Sequence, residues 1–173
     1  MSGHSFNVLF VCQHNSARSI IAEALLRKWG MGRFAVHSAG PEPAAAVNPI
    51  AIDLLAKAKV ETDGLHPKSW DAFIGPDAPA LDLVFITCEE CWSMPRPAFA
   101  GDPLVVKWNF PNPADLHGTD TEKRALYNLV FGMIERRIKI FCALPDRKLA
   151  NLTARDLSDI AVSEQQPAQA LSA

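Results

Sequence analysis

The chain has 173 residues and a formal net charge of −2. This length suits one domain with a single sizeable core, and the near-neutral charge gives no electrostatic reason to expect a nucleic acid or a membrane surface as a partner. No apolar stretch reaches the ~20 residues that a bilayer-spanning helix needs. Residues 1–5 have neither the charged nor the apolar region of a signal peptide, so the sequence predicts a cytoplasmic protein.

Strand and helix patterns alternate along the chain. The sequence predicts strands at 6–11, 33–38, 82–87 and 104–108. It predicts a helix at 19–29 after the first strand, a helix at 49–57 after the second, and a long helix at 121–144 after the fourth. Alternation of this kind is typical of the α/β class, here a four-stranded parallel sheet with helices on both faces. Ligands of such sheets bind beyond the carboxyl ends of the strands.

Two of the predicted helices have a defined apolar face. In the helix at 49–57 the predicted core stripe is Ile50, Leu54 and Leu55. The predicted cap region of the long helix is Thr119-Asp120-Thr121-Glu122. The residues of the long helix that we expect to be buried are Leu126, Leu129, Val130, Met133, Ile134, Ile138 and Phe141.

The predicted domain covers residues 1–145, which include every strand and the long helix. Residues 146–173 form a separate C-terminal segment, with a short helix predicted within 151–162. The end of the chain, 163–173, is polar and rich in Gln, Pro and Ala, a composition that predicts disorder.

The most informative stretch is residues 12–18, which read Cys-Gln-His-Asn-Ser-Ala-Arg between the first strand and the first helix. Free backbone N–H groups and the dipole at a helix N-terminus favour an anion. The guanidinium of Arg18 can grip two oxygens of a tetrahedral oxyanion. The same field favours the thiolate form of Cys12, which is a nucleophile. The alternative is a structural cysteine buried in an ordinary turn.

Several segments together carry a resemblance to a known family. They are residues 11–19, Ala22-Glu23-Ala24-Leu25-Leu26, Ser38-Ala39-Gly40, Val47-Asn48-Pro49, Lys68-Ser69-Trp70-Asp71 and residues 108–114. In this order they resemble the arsenate reductases built on the low-molecular-weight protein tyrosine phosphatase fold, over residues 6–145. The resemblance implies that Cys12 is the nucleophile, that Arg18 clamps the oxyanion and that the Ser19 hydroxyl hydrogen-bonds the thiolate.

The loop as a whole is predicted to bind arsenate or phosphate. The anion-binding set is Gln13, His14, Asn15, Ser16, Ala17 and Arg18. Asn15 would fix the loop backbone, because asparagine tolerates the left-handed conformation better than most residues. His14 could pair with the oxyanion or help to hold the thiolate, or it could simply face solvent.

Three cysteines remain, Cys88, Cys91 and Cys142. The resemblance implies a redox relay in which a second cysteine attacks the arseno-thiol, releases arsenite and is resolved by a third. Cys88 matches the second cysteine. Arg96 stands at about the place of the third, so Cys91 is the nearest substitute. The reductant stays open between thioredoxin, glutaredoxin with glutathione, and a one-cysteine mechanism.

The same three cysteines could also serve without redox chemistry. Cys88 and Cys91 could be half of a zinc site, although no second pair of cysteines or histidines lies at matching spacing. They could also be inert loop residues, and Cys142 is predicted to lie in the core. We predict no resident metal and no cofactor.

The position of the family's general acid carries Asn112, and an amide cannot donate a proton as an acid does. General acid catalysis is typically worth ~10²–10⁴-fold, so phosphoester hydrolysis should suffer. Asp115 could replace the acid after a loop shift, or it could be an exposed carboxylate. Trp70 and Trp92 could line the entrance of the site or serve in packing.

The sequence thus predicts an enzyme that reduces arsenate to arsenite through Cys12, with Cys88 and Cys91 as relay. One alternative is a phosphotyrosine or small-molecule phosphatase that uses Cys12 and Arg18 alone. The other is an oxyanion-binding protein that has lost turnover.

Overall fold

The computed structural model describes residues 5–162, so the disorder predicted for 163–173 lies outside the described residues. The strands are β1 (Phe6–Val11), β2 (Phe34–Ala39), β3 (Leu83–Ile86) and β4 (Leu104–Lys107). The helices are α1 (Arg18–Trp29), α2 (Pro49–Lys57), α3 (Glu89–Ser93), α4 (Asp120–Cys142), α5 (Asp146–Leu149) and α6 (Ala154–Val162). Short 3₁₀ turns lie at Trp70–Phe73 and Pro113–Asp115. The predicted strands and longer helices are present, with small differences at their ends.

The four strands form one sheet in the order β2-β1-β3-β4, and every pairing is parallel. In the register of the sheet, Val11 lies opposite Ala39 on one side and Ile86 on the other. The first residues after these strands therefore meet at one edge of the sheet, as parallel strands require. Cys12 follows β1 directly, and Cys88 follows β3 after Thr87.

Each face of the sheet has its own apolar core. One face, with Phe10 and Phe85, packs under α1, α2, α4 and α6. The opposite face, with Leu9 and Val84, is covered by the 3₁₀ turn at Trp70–Phe73 and by α3. The predicted α/β architecture with helices on both faces is confirmed, although the second face is covered by short helical segments only.

The long helix α4 begins within the predicted cap region, and the structure identifies Thr119 as the cap residue. The Thr119 hydroxyl accepts from the Glu122 N–H while the Glu122 carboxylate accepts from the Thr119 N–H, which completes a capping box. Most of the predicted stripe packs on the core, but the prediction for Leu129 was wrong, since it is 60% exposed. Its neighbour Val130, which was also predicted to be buried, is fully buried. Adjacent helical residues point about 100° apart, so the two side chains do not both face the core. In α2, Ala51 rather than Ile50 is fully buried.

Residues 146–162 pack against the main core. Leu149 and Leu157 are buried in it, and the indole N–H of Trp108 donates to the Leu157 carbonyl at 2.9 Å. The division of the chain at residue 145 stays a prediction. Between residues 5 and 162, no helix combines the length and apolar character that crossing a bilayer requires.

Candidate active site at the carboxyl edge of the sheet

The loop between β1 and α1 is held in place through its carbonyl groups. The carbonyls of Gln13, His14 and Ser16 accept from the N–H groups of Glu42, Ala44 and Asn48 at 3.0, 2.9 and 2.9 Å. Within residues 5–162, no acceptor is found for the N–H groups of residues 14–17. The loop carbonyls are thus bonded to other parts of the chain, while these N–H groups of the loop have no acceptor in the described part of the chain. Such a loop can receive an anion.

Asn15 gives the loop its turn. Its φ of 45° lies in the left-handed region that asparagine tolerates, as the sequence predicted. The buried side chain is bonded at both ends. Its oxygen accepts from the Lys68 N–H at 2.9 Å, and its Nδ2 donates to the Ser19 hydroxyl at 2.8 Å. Because the Lys68 amide can only donate, the orientation of the Asn15 amide is determined.

That orientation also directs the proton of Ser19. The Ser19 oxygen lies 2.8 Å from the Cys12 sulfur and already accepts from Asn15. Its own O–H is therefore free to donate to the Cys12 sulfur. Cys12 and Ser19 are both buried.

Gly40 has no side chain, and the loop between β1 and α1 occupies the space where one would lie. A Cβ at this position would lie 2.6 Å from the Gln13 carbonyl oxygen and closer still to that of Cys12. The backbone of Gly40 also bonds to Lys68 and to Trp70, which ties the segment 68–70 to the loop. Any larger residue would push the loop out of position.

Arg18 is only 7% exposed and its Nη1 donates to the Phe110 carbonyl at 3.1 Å. The segment that contains Phe110 is also held by Arg137. The Arg137 guanidinium lies 4.2 Å from the Phe110 ring centre and donates to the Asn109 carbonyl. Arg18 is thus fixed at one nitrogen by protein, and its remaining N–H groups are available to an oxyanion.

A cavity of about 70 Å³ opens beside Cys12. Its lining residues are Cys12, Gln13, His14, Ser16, Ala17, Arg18, Asn48, Asn112, Ala114 and Tyr127. A cavity needs about 10–15 Å³ of volume on this measure to hold one water molecule. The cavity therefore has room for a tetrahedral oxyanion.

His14 lines this cavity but its side chain is 56% exposed. Its Nδ1 lies 3.1 Å from the Glu42 carbonyl oxygen. The two predicted roles of His14, at the oxyanion or in solvent, are both compatible with a residue at the rim.

The wall opposite the loop carries Asn112, the residue at the family's acid position. Its oxygen accepts from the Ala114 N–H at 3.2 Å, and its Nδ2 donates to the Asp115 carboxylate at 2.8 Å. Asp115 is exposed and is not among the residues that line the cavity. The Asn112 amide therefore lines the cavity, and the Asp115 carboxylate bonded to it lies outside the lining.

Two lining residues, Asn48 and Tyr127, were not singled out as site residues by the sequence. Asn48 caps α2, and its Nδ2 donates to the Tyr127 hydroxyl at 2.9 Å. The available signal was a lone tyrosine on the otherwise apolar face of α4.

Cys88 lies behind the anion loop. Its sulfur accepts from the Cys91 N–H at 3.4 Å. The pKa of Cys88 is lowered to about 7, chiefly by the hydrogen bond with the Cys91 side chain, and further by the Cys91 N–H, the charge of Arg18 and the Gln13 N–H. The pKa of Cys91 is raised, because its thiol donates to Cys88 and because it is buried. The two side chains share one proton, which we place on Cys91.

The other predicted side chains lie outside the cavity. Trp70 is buried in the second core against Phe99, and Trp92 lies on α3. Cys142, at the end of α4, is partly buried, and burial raises its pKa to about 11. No group of three or more potential metal ligands occurs among residues 5–162.

These features define a class: α/β proteins in which a buried cysteine, loop amides and an arginine surround a cavity that can receive an oxyanion. The model of the low molecular weight phosphotyrosine protein phosphatase family matches residues 7–151, and the chain belongs to that family. The predicted resemblance is confirmed.

Proteins similar to this chain include several arsenate reductases. The arsenate reductase of Halalkalibacterium halodurans is 33% identical over 134 residues, which are 78% of this chain and 93% of that protein. A glutaredoxin arsenate reductase of Synechocystis is 26% identical over 132 residues, 76% of this chain and 92% of its own length. The crystal structure of an arsenate reductase from Archaeoglobus fulgidus is 32% identical, has a TM-score of 0.63, and covers 79% of this chain and 99% of its own.

Proposed function

We propose that this protein is an arsenate reductase that converts arsenate to arsenite with electrons from thiols. The observation that carries the proposal is the position of Cys88. Its low-pKa thiol lies against the loop of the nucleophile, within reach of the Arg18 charge and of the Gln13 N–H. A hydrolase has no use for a second thiol there.

In the first step arsenate enters the cavity, and Arg18 with the loop amides holds its oxygens. The Cys12 thiolate, which accepts from Ser19, attacks arsenic. A sulfur–arsenic bond forms, one arsenic–oxygen bond breaks, and that oxygen leaves as water after it takes up a proton. Arsenic remains As(V), so no electrons have yet been transferred.

In the second step the Cys88 thiolate attacks the Cys12 sulfur. A sulfur–sulfur bond forms, the sulfur–arsenic bond breaks, and its electron pair goes to arsenic, which leaves as As(III) arsenite. The two cysteines have supplied two electrons and are now a disulfide. A thiolate with a pKa near ambient pH is the best attacking group for such an exchange.

In the third step Cys91 resolves the disulfide. Its thiol gives up its proton to water as the sulfur attacks Cys88. A Cys88–Cys91 bond forms, the Cys12–Cys88 bond breaks, and Cys12 leaves as a thiolate. Residues three apart in a helical turn have Cβ atoms about 5–6 Å apart, so a modest adjustment of α3 brings them to bonding distance.

An external thiol must then reduce the Cys88–Cys91 bond. Thioredoxin or glutaredoxin with glutathione would serve, and both act in the reducing cytoplasm, where we propose that this protein works. Both cysteines are fully buried, so the segment that carries them has to open before a partner can reach it.

Hydrolysis of phosphoesters is the weaker candidate. Cys12 and Arg18 suffice for a phosphoenzyme, but the wall of the cavity offers the amide of Asn112 to the leaving group. Arsenate is more labile to thiol exchange than a phosphoester, so an amide in place of the acid hinders reduction less than hydrolysis.

The decisive experiment measures arsenate-dependent thiol consumption, with thioredoxin and with glutaredoxin plus glutathione in separate assays. We expect turnover with at least one system. Cys88→Ser should stop repeated turnover, and Cys91→Ser should accumulate a Cys12–Cys88 disulfide that peptide mapping detects. Cys142→Ser, a thiol far from the site, is the matched control and should behave as wild type. Full activity in both relay variants would show that an external thiol acts directly on the arseno-cysteine.

A further inference from the structure

We propose that the hydroxyl of Tyr127 is a further binding group of this site and donates a hydrogen bond to an oxygen of the tetrahedral oxyanion. This inference rests on the proposed function for the identity of the anion as arsenate. Its geometry concerns any tetrahedral oxyanion in the cavity. Tyr127 lines that cavity together with Cys12 and Arg18, although it comes from α4, more than a hundred residues further along the chain.

The capping role of Asn48 fixes the polarity of the Tyr127 hydroxyl. The Asn48 oxygen accepts from the Ile50 N–H at 2.9 Å, since a backbone N–H can only donate. The Nδ2 group must then be the end that faces Tyr127, 2.9 Å from the phenol oxygen. The phenol oxygen is therefore an acceptor toward Asn48, and its own proton points elsewhere.

That proton has no acceptor among residues 5–162, where the bond to Asn48 is the single hydrogen bond of the Tyr127 hydroxyl. The side chain is nearly fully buried, so an acceptor for this proton has to come from the cavity that Tyr127 lines. Water can serve there when no anion is bound. An anion oxygen would replace it with a stronger, charge-assisted hydrogen bond.

The electrostatics suit a neutral donor. Burial raises the pKa of Tyr127, while the bond from Asn48 and the nearby charge of Arg18 act in the opposite direction. The phenol therefore keeps its proton at neutral pH. Arg18 neutralises the anion, and Tyr127 adds a directed hydrogen bond without adding charge.

The test uses inorganic phosphate, which binds without turnover, and measures its protection of Cys12 against alkylation. Hydrogen bonds to charged groups are worth roughly 10- to 100-fold in affinity, so we expect Tyr127→Phe to weaken protection by that factor. Unchanged protection would overturn the proposal. Because arsenate is absent, failure here is distinct from failure of the reductase assay.

A purely structural role through Asn48 predicts a different pattern. If Tyr127 acted only by anchoring Asn48, then Tyr127→Phe would add no further loss in an Asn48→Ala background. We expect the loss to persist in that background, since the phenol still donates to the anion. An absent effect in the double variant would refute direct contact.

The chain offers a spectroscopic probe as well, because Tyr127 is its single tyrosine. Protein labelled with ¹³Cζ-tyrosine gives one ring-carbon signal. We expect this signal to shift on phosphate titration with the midpoint measured by Cys12 protection. A signal that stays in place at saturating phosphate would show that the hydroxyl does not touch the anion.

Discussion

The anion loop, residues 12–19, and the relay segment, residues 88–97, begin at the carboxyl ends of neighbouring strands but are held in different ways. Bonds from distant parts of the chain hold the anion loop. Lys68 fixes the Asn15 amide, and Asn48 holds the Ser16 carbonyl. Such cross-links from several elements hold a loop in one conformation before substrate arrives.

The relay segment has fewer supports. It consists of the five-residue helix α3 and an irregular stretch rich in proline. Glu89 pairs with Lys107 of β4, and the Arg96 guanidinium lies 4.6 Å from the Trp92 ring centre, contacts on the exposed side that are individually weak. In the proposed reaction Cys12 stays in place while Cys88 and Cys91 must reach an external partner, and a fixed anion loop beside a weakly held relay segment suits that requirement.

The largest expected effect concerns the nucleophile of the anion loop. We expect Cys12→Ser to reduce arsenate turnover by roughly 10⁴-fold or more, the scale on which loss of a covalent nucleophile acts. A serine keeps the shape of the loop, so isothermal titration calorimetry should show phosphate binding close to wild type. Residual turnover within tenfold of wild type would remove Cys12 from the chemistry.

The wall residue Asn112 tests whether the same loop can support hydrolysis. Asn112→Asp would place a carboxyl in the cavity beside Asp115, and two carboxylates at that distance raise the pKa of one of them. We expect up to a ~10²-fold gain in hydrolysis of p-nitrophenyl phosphate. The double variant Asn112→Asp/Asp115→Asn carries a carboxyl at residue 112 only, so it distinguishes the effect of that group from the effect of Asp115. No gain in either protein would mean that residue 112 does not face the leaving group.

Arg18→Lys and a matched variant in the relay segment test whether anion binding depends on the anion loop alone. A lysine keeps the charge but loses the planar fork, so we expect phosphate protection of Cys12 to weaken by about 10-fold or more. Arg96→Lys in the relay segment is the matched control and should leave protection unchanged. Equal protection in all three proteins would place the anion away from Arg18.

The smallest expected effect is a titration in the relay segment. Since the pKa of Cys88 is lowered to about 7, its thiolate forms as the pH rises through that value and is lost below it. The difference in 240 nm absorbance between wild type and Cys88→Ser should show a midpoint near pH 7. Cys91→Ala removes the thiol donor and should shift the midpoint upward. A wild-type midpoint above pH 8.5 would contradict the shared proton.

Local sequence determined the scaffold of this protein. The apolar run at 6–11 and the periodic helices follow from side-chain pattern alone, and the order of strand, loop and helix fixed where Cys12 and Arg18 stand. The boundaries of α2 and the cap of α4 were also predictable, since Pro at the first helical position and the Thr119-to-Glu122 spacing act within one turn.

Tertiary structure decided what local pattern cannot encode. The proton of Ser19 is directed by a bond from Lys68 to Asn15, 53 residues apart, and Tyr127 reaches the cavity only because α4 packs beside α2. The complete burial of Cys88 and Cys91 likewise depends on the second core, with Trp70 and its neighbours. Side-chain polarity and burial at a site are set by contacts between elements distant in sequence, so they emerge only when the chain has folded.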